Sequence, residues 1–201
     1  MDVRDHLIRA ALEVYGQAGS RGATTRRIAE AAGLNEVTLF RHFGSKDALI
    51  RDALRWMAER ALSVRLPEVP VDPRRELGAF CTAQHGGMFE TRALIRKTMA
   101  EFEEHPEATA IAHEITAGIE HEIRKYLDRL VTAGLAKRSW RPESATAMLM
   151  GALFADAVGR DCMPERYPVP PEQAVLEYVD LFLRAIDCPP RGPDGGRVQP
   201  K

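Results

Sequence analysis

The stretch that decides the fold is TTRRIAEAAGLNEVTLFRHF, residues 24–43. It contains two short segments of helical periodicity separated by Gly33, and glycine allows the positive φ that a sharp turn requires. Apolar residues in both segments are spaced to pack the two helices together and onto a preceding helix: Ile28, Ala29, Ala32, Leu34, Val37, Phe40 and Phe43. Two short helices joined in this way are typical of a helix-turn-helix, whose second helix enters the major groove of DNA.

The polar residues left on the outside of this motif suit a nucleic-acid partner. Asn35 is a good N-cap for the second helix, and Thr24 and Thr25 place hydroxyls at the start of the first, where backbone N–H groups also bind phosphate. Arg26 can bind phosphate or donate two hydrogen bonds to a guanine edge. The remaining candidates lie on the second helix or at the start of the next one: Glu36, Thr38, Arg41, His42 and Lys46. The alternative for Arg41 is an ordinary solvated residue, and for His42 a structural role.

Composition narrows the class of protein. The chain has 201 residues, 45% of them hydrophobic, and a formal net charge of -1. Its three cysteines form no CxxC pair, and its longest apolar run, residues 147–155, is far shorter than the roughly 20 residues of a membrane span. We therefore expect a soluble cytoplasmic protein without a disulfide framework. The charges are unevenly distributed along the chain, although they nearly cancel. Residues 21–46 carry five basic and two acidic residues, whereas residues 98–123 carry seven acidic residues and no Lys or Arg.

Residues Thr24–Ile50, TTRRIAEAAGLNEVTLFRHFGSKDALI, resemble the N-terminal motif of the TetR family of bacterial regulators. The resemblance extends over about residues 5–55 and rests on a Thr-initiated helix followed by Ile-Ala, Ala-Gly, Thr-Leu-aromatic, His-Phe and Ser-Lys. It implies an N-terminal domain that binds a palindromic operator as a homodimer. It also implies a C-terminal helical domain that binds a small molecule and dimerises through its last two helices.

Position by position, the resemblance implies two sets of DNA contacts. Contacts with the DNA backbone fall on Thr25, Thr38, Phe40, His42 and Lys46, and contacts with bases fall on Arg26, Glu36, Thr38 and Arg41. Phe40 stands where the family usually has Tyr, so a hydroxyl that would donate to a phosphate is missing. Val37 stands where a small residue or proline is frequent, and its branched side chain either meets a thymine methyl or packs inward. Glu36 suits the helix dipole or a cytosine amino group.

Helical periodicity continues along the chain and predicts an all-α fold of about nine helices. The predicted helices cover residues 3–18, 24–32, 35–43, 45–66, 74–88, 91–104, 107–133, 143–160 and 172–187. We predict a helix-turn-helix domain over residues 1–46 and a ligand-binding and dimerisation domain over residues 47–187, with the fourth helix linking the two. Residues 188–201 are rich in Pro and Gly and are predicted to form a disordered tail.

The last two predicted helices carry the residues expected at a dimer interface: Ala145, Met148, Ala152, Ala155 and Gly159 on the first, and Val175, Val179, Phe182 and Ile186 on the second. The alternative is an intramolecular core. Side chains suited to a ligand pocket are apolar with few polar groups: Phe80, Gln84, Met88, Phe89, Met99, Phe102, Trp140, Met150 and Phe154. For each of these, simple core packing is the alternative. We expect a medium-sized apolar or amphipathic effector.

Other functions find weaker support. Glu101 and His105 stand at i, i+4 and could share a metal, but the histidines drift around the helix, so we predict no metal site and no cofactor. Cys81 and His85 form the one Cys/His pair at helical spacing, and no nucleophile–base set accompanies it. The sequence predicts a ligand-responsive DNA-binding transcriptional regulator, most often a repressor in the resembling family. The alternatives are an all-helical enzyme and a ligand-independent DNA-binding protein.

Overall fold

The computed structural model describes residues 2–103 and 106–188, with the side chains of residues 106–108 left out. Nine α-helices and one short 3-10 helix lie in this part of the chain, which contains no strand, so the predicted all-α class is confirmed. The α-helices are α1 Val3–Gly22, α2 Thr25–Ala31, α3 Glu36–Phe43, α4 Lys46–Ser63, α5 Pro73–Glu90, α6 Arg92–Ala100, α7 Pro106–Thr132, α8 Pro142–Gly159 and α9 Pro171–Ala185. No helix of the described residues is long and apolar enough to cross a membrane.

Three predicted helix ends differ from the structure by three or more residues. α1 continues past residue 18 through a kink at Gly19, where φ is +68°. α4 ends at Ser63 rather than Leu66, because the Leu66 N–H donates to the Glu122 carboxylate at 3.0 Å instead of to a helical carbonyl. α6 ends at Ala100 rather than at residue 104, and Glu101 caps it with its backbone N–H.

The chain folds into two compact units, and the first contains the helix-turn-helix. It comprises residues Met1–Ser63 and Gly87–Ile119. α1 lies at its centre and packs against α2, α4 and α6. Its core contains fully buried side chains from all three N-terminal helices and α4, including Leu7, Ile28, Leu39 and Leu49. The unit is therefore larger than the predicted 1–46 domain, because α4, α6 and the first part of α7 belong to it.

The second unit comprises Val64–Gly86 and the chain from Glu120 onward. α8 and α9 pack against each other in it. Its core includes Leu77, Tyr126, Leu149 and Phe182, all at most 2% exposed. Cys188, with which the predicted tail begins, is buried and its N–H donates to the Leu183 carbonyl at 2.8 Å. The rest of that tail lies outside the described residues.

Candidate nucleic-acid interface

The turn between α2 and α3 is fixed by Gly33 and by the Asn35 cap of α3, and a second side-chain cap begins α2. Gly33 has φ +68°, a conformation that favours glycine, and the Leu34 N–H donates to the Ala29 carbonyl at 2.9 Å. The Thr24 hydroxyl accepts from the Arg27 N–H at the start of α2. The Asn35 carboxamide oxygen accepts from the Thr38 N–H at 2.8 Å and from the Thr38 hydroxyl at 2.9 Å. Local sequence therefore sets the angle at which α3 leaves the turn.

α3 presents one face to the core and the opposite face to solvent. Leu39 is fully buried, and Phe43 packs against the core of the first unit. On the other side, Val37 is 75% exposed and Phe40 is 47% exposed, with the exposed Arg41 beside them. We call Val37, Phe40 and Arg41 the reading face. Of the two orientations that the sequence left open for Val37, the structure has the outward one.

Val37, for which a thymine contact was one of two alternatives above, was not among the candidate DNA contacts named for the motif. The signal that could have added it to them was the valine itself, which stands where the family often has a small residue or proline. An exposed valine next to an exposed phenylalanine on a helix of eight residues offers apolar contact without any polar group to satisfy. In the major groove, such a side chain fits the methyl group of thymine.

Two carboxylates near the reading face are already hydrogen-bonded. The Thr25 hydroxyl donates to Glu36 at 2.6 Å, which joins the start of α2 to the start of α3. The Arg26 guanidinium donates to Glu30 at 2.9 Å, with the two side chains 78% and 62% exposed. Solvent screens an ion pair this exposed, so Arg26 can exchange Glu30 for DNA at small cost.

The remaining candidates lie at the two ends of the motif. His42 is exposed, and its ring tilts toward that of Phe43 at a centroid distance of 6.4 Å. Ser45 caps α4 by accepting from the Ala48 N–H at 3.1 Å. Lys46 follows in the first turn of α4, and its ammonium donates to the Ser20 carbonyl at the end of α1 at 3.0 Å. The motif thus gathers Thr25, Arg26, Arg41, His42 and Lys46 within one compact unit.

The predicted pocket residues divide between the units. Met88, Phe89, Met99 and Phe102 belong to the first unit, where Met99 is 47% and Phe102 is 37% exposed. The others belong to the second unit: Phe80, Gln84, Trp140, Met150 and Phe154. Phe80, Gln84 and Met150 are buried, and the Trp140 indole N–H donates to the Ile186 carbonyl at 3.1 Å.

The second unit also contains a buried polar network that sequence reasoning did not find. Asp156 on α8 is fully buried and accepts hydrogen bonds from Arg160 at 2.6 and 2.9 Å and from Tyr178 at 2.7 Å. Nε2 of His85 lies 2.8 Å from the same carboxylate. Burial opposes the ionisation of Asp156, but the hydrogen bonds from Arg160, Tyr178 and His85 outweigh it and lower the pKa of this carboxyl. The network joins α5, α8 and α9.

The Cys81–His85 pair does not have the environment of a catalytic nucleophile. Burial raises the pKa of the Cys81 thiol to about 12, which disfavours the reactive thiolate. His85 is engaged with Asp156 instead. Glu101, considered above with His105 as a metal pair, accepts hydrogen bonds from Tyr15 and Ser20, and His105 lies outside the described residues.

The predicted interface residues of α9, and Ile186 just after it, are buried within their own chain. Val175, Val179, Phe182 and Ile186 are each at most 2% exposed within a single chain. A side chain buried in its own protomer has no surface left to offer, so these four belong to the intramolecular core that was the alternative. On α8 the prediction divides: Ala145 is buried, Ala152 and Gly159 are half-buried, and Met148 and Ala155 are exposed.

Comparison with known proteins agrees with the motif and the fold. The family model described as bacterial regulatory proteins, tetR family, matches residues 7–53. Tetracycline repressor protein class C of Escherichia coli is 44% identical over 61 residues, a match that spans only 26% of that protein. The HTH-type transcriptional regulator YvkB of Bacillus subtilis is 23% identical over 90% of this chain and 96% of its own length.

Among solved structures, a TetR-family transcriptional regulator from Rhodococcus sp. superposes with a TM-score of 0.70. The match covers 92% of this chain and 98% of that one, at 19% identity, and so supports the fold. The family model covers α3, which carries the reading face, together with α2, most of α1 and the start of α4. The matched motif over residues 7–53 and the shared fold together support a TetR-family DNA-binding transcriptional regulator.

Proposed function

We propose that this regulator is a repressor that binds a palindromic operator as a homodimer and is released from it by a small apolar or amphipathic effector. The observation that carries the proposal is the reading face, since apolar Val37 and Phe40 stand exposed beside Arg41 on a helix whose other side is fixed in the core. Exposing two large apolar side chains is unfavourable in water, which a partner surface would offset. Because the operator would lie on the chromosome, we expect the protein in the cytoplasm.

The DNA contacts follow from where the side chains lie. Arg41 and Arg26 are exposed and can each donate two hydrogen bonds to a guanine edge, and Val37 can meet a thymine methyl. Thr25 and Lys46 lie at the starts of α2 and α4, where positive helix ends favour phosphate. In a dimer, the two helix-turn-helix motifs would be related by a twofold axis. They would bind in successive major grooves, about 34–36 Å apart on one face of the DNA.

A homodimer would use the exposed sides of α8 and α9. Met148 is 52% exposed and shares a stripe of α8 with the exposed residues Ala147, Gly151 and Ala155. Small residues on this stripe permit close helix approach, and Leu181 on α9 is 62% exposed. Two copies of α8 and α9 would then form a four-helix bundle. Leu181→Glu should convert a dimer to monomers in analytical ultracentrifugation and leave the fold intact, because Leu181 is outside the core.

Release by an effector requires that the ligand prefer the state with low DNA affinity, since a ligand shifts an equilibrium only through its differential affinity. Repression is supported by the 44% identity over 61 residues to a protein named as the tetracycline repressor. The name states the role of that protein, and we propose the same role for this chain. Buried apolar residues with one polar amide, such as Phe80, Met150 and Gln84, favour an apolar guest with a polar group.

The experiment begins with DNA from upstream of the chain's own gene. Fluorescence anisotropy would measure binding to a set of tiled duplexes, and a thermal-shift screen would then select small molecules that stabilise the protein. Specific binding to one tile that a stabilising compound reverses supports the proposal. Binding that no stabilising compound alters would favour a ligand-independent DNA-binding protein, and turnover of a compound would favour an enzyme.

Thr25→Ala should weaken binding to every duplex, because it removes a hydroxyl and releases Glu36 at the DNA surface. Arg26→Ala should relax base preference instead. If Arg26→Ala leaves the preferred tile unchanged, the base contact assigned to Arg26 is wrong.

A further inference from the structure

Glu101 lies at the C-terminal end of α6 and holds the end of α1. Its carboxylate accepts from the Ser20 N–H at 3.3 and 3.4 Å and from the Tyr15 hydroxyl at 3.1 Å. Tyr15 is buried, and burial together with the neighbouring Glu101 charge raises its pKa to about 12, so that it stays a neutral donor. Tyr15 and Ser20 belong to the first unit, as Glu101 does.

The kink at Gly19 makes this contact possible. Gly19 has φ +68°, and a Cβ at this position would lie 2.4 Å from Oε1 of Glu101. Glycine is therefore needed both for the backbone conformation and for the approach of the carboxylate. One helical turn earlier, α6 also approaches α1 closely, since a Cβ on Gly16 would lie 3.0 Å from the Leu94 nitrogen. α6 thus contacts α1 by backbone at Gly16 and by the Glu101 carboxylate at the kink.

Ser20 is held from both sides. Glu101 takes its N–H, and its carbonyl accepts from the Lys46 ammonium at 3.0 Å. Lys46 opens α4 next to the reading face and is one of the residues expected to bind phosphate. The position of the Ser20 peptide groups therefore determines where the Lys46 ammonium is held.

We propose that Glu101 is a positioning residue for DNA binding, which acts through Ser20 to place Lys46. The inference rests on the proposed function, because it assumes that Lys46 neutralises a DNA phosphate. Without the Glu101 carboxylate, the end of α1 loses its fixed position, and Lys46 is no longer held toward the DNA. The effect should appear as the loss of one phosphate contact, not as a loss of sequence preference.

The test is a double-mutant cycle between Glu101→Ala and Lys46→Ala in the full-length protein. Anisotropy titrations on the preferred upstream duplex over a range of salt concentrations would give both affinity and salt dependence. Glu101→Ala should weaken binding about tenfold, as expected for the loss of a charged hydrogen bond. It should also lower the magnitude of the slope of log K against log salt by about 0.9, the value for one phosphate contact. In the Lys46→Ala background, Glu101→Ala should change affinity less than about twofold.

Glu103→Ala is the matched control, because it removes the same charge from an exposed position two residues away. It should leave affinity unchanged or raise it slightly. Glu101→Gln keeps an acceptor for Ser20 and Tyr15, and it should restore much of the affinity if Glu101→Ala folds poorly. Tyr15→Phe should have a smaller effect than Glu101→Ala, because it leaves the Ser20 contact in place.

Additive effects in the cycle, or a Glu101→Ala variant that behaves like Glu103→Ala, would overturn the inference. A wild type that prefers no upstream sequence would instead overturn the proposed function. The cycle would then be measured on non-specific duplex, where Lys46 binds phosphate in the same way and the same coupling is expected. Loss of stability alone would leave the salt slope unchanged, so an unchanged slope in a folded Glu101→Ala variant also contradicts the inference.

Discussion

Replacing Asp156 with asparagine should cost far more stability than the same replacement at Asp180. Both aspartates pair with an arginine in the second unit, but their surroundings differ. The Asp156 side chain is 0% exposed and that of its partner Arg160 is 12% exposed. In the pair between Arg74 and Asp180, the side chains are 48% and 28% exposed. The two substitutions make the same chemical change, so the difference between them measures burial together with the additional hydrogen bonds that Asp156 makes with Tyr178 and His85.

The expected magnitude follows from these exposures. Removing one partner of a buried pair leaves an uncompensated charge and costs about 3–5 kcal/mol. Breaking an exposed pair costs much less, because solvent already screens the two charges. At roughly 2–4 °C per kcal/mol for a chain of this size, Asp156→Asn should lower Tm by about 6–20 °C. Asp180→Asn should lower it by much less, because solvent screens that pair.

Thermal and urea denaturation followed by circular dichroism would measure both variants at neutral pH. Equal shifts for Asp156→Asn and Asp180→Asn would refute the reasoning, because burial would then add nothing.

The pH dependence of the free energy of unfolding at acidic pH gives a second readout. The pKa of Asp156 is lowered in the folded state, because its hydrogen bonds outweigh the effect of burial. Its contribution is therefore present above the unfolded pKa of about 3.9 and is lost as the pH falls through the lower folded pKa. Asp156→Asn should flatten this part of the stability curve.

Four further changes test the first unit and α5. Phe40→Tyr adds a hydroxyl to a ring that is 47% exposed and should tighten operator binding about fivefold by donating to a phosphate, and an unchanged Kd in anisotropy would mean that Phe40 does not face the DNA backbone. Glu30→Gln removes the partner of Arg26 and should tighten operator binding up to about fivefold. The gain should vanish in the Arg26→Ala background, and a gain that persists there would point to general charge repulsion. Gly87→Ala should stabilise α5 by about 1 kcal/mol and raise Tm by about 2–4 °C, because Gly87 is helical and nothing lies within 4 Å of an added Cβ. Gly33→Ala, at φ +68°, should lower Tm instead.

The parts of the structure that the sequence predicted are those set by local signals. Gly33, the Asn35 cap and the Ser45 cap each act within three or four residues, and α2, α3 and the start of α4 lie where they were expected. The family resemblance then located the candidate DNA contacts on these helices.

The parts that sequence reasoning missed depend on partners far apart in the chain. Ser20 and Glu101 are 81 residues apart, and His85 and Asp156 are 71 apart. No periodicity identifies such pairs, because tertiary packing brings them together. The face of α9 was misjudged for a related reason: an apolar stripe has the same spacing whether it covers an intramolecular core or a partner subunit. Burial of Val179 and exposure of Leu181 distinguish the two only in the folded chain.

The most direct test of the account measures whether the reading face confers sequence preference. Anisotropy at one fixed salt concentration would compare the preferred upstream duplex with a scrambled duplex for the wild type, Arg41→Ala and the control Arg75→Ala, which removes an exposed arginine on α5. The account predicts that the wild type and Arg75→Ala prefer the upstream duplex by about 10³-fold or more. It predicts that Arg41→Ala loses about 1–3 kcal/mol of that preference. Equal binding of both duplexes by the wild type, or a preference that Arg41→Ala leaves intact, would contradict it.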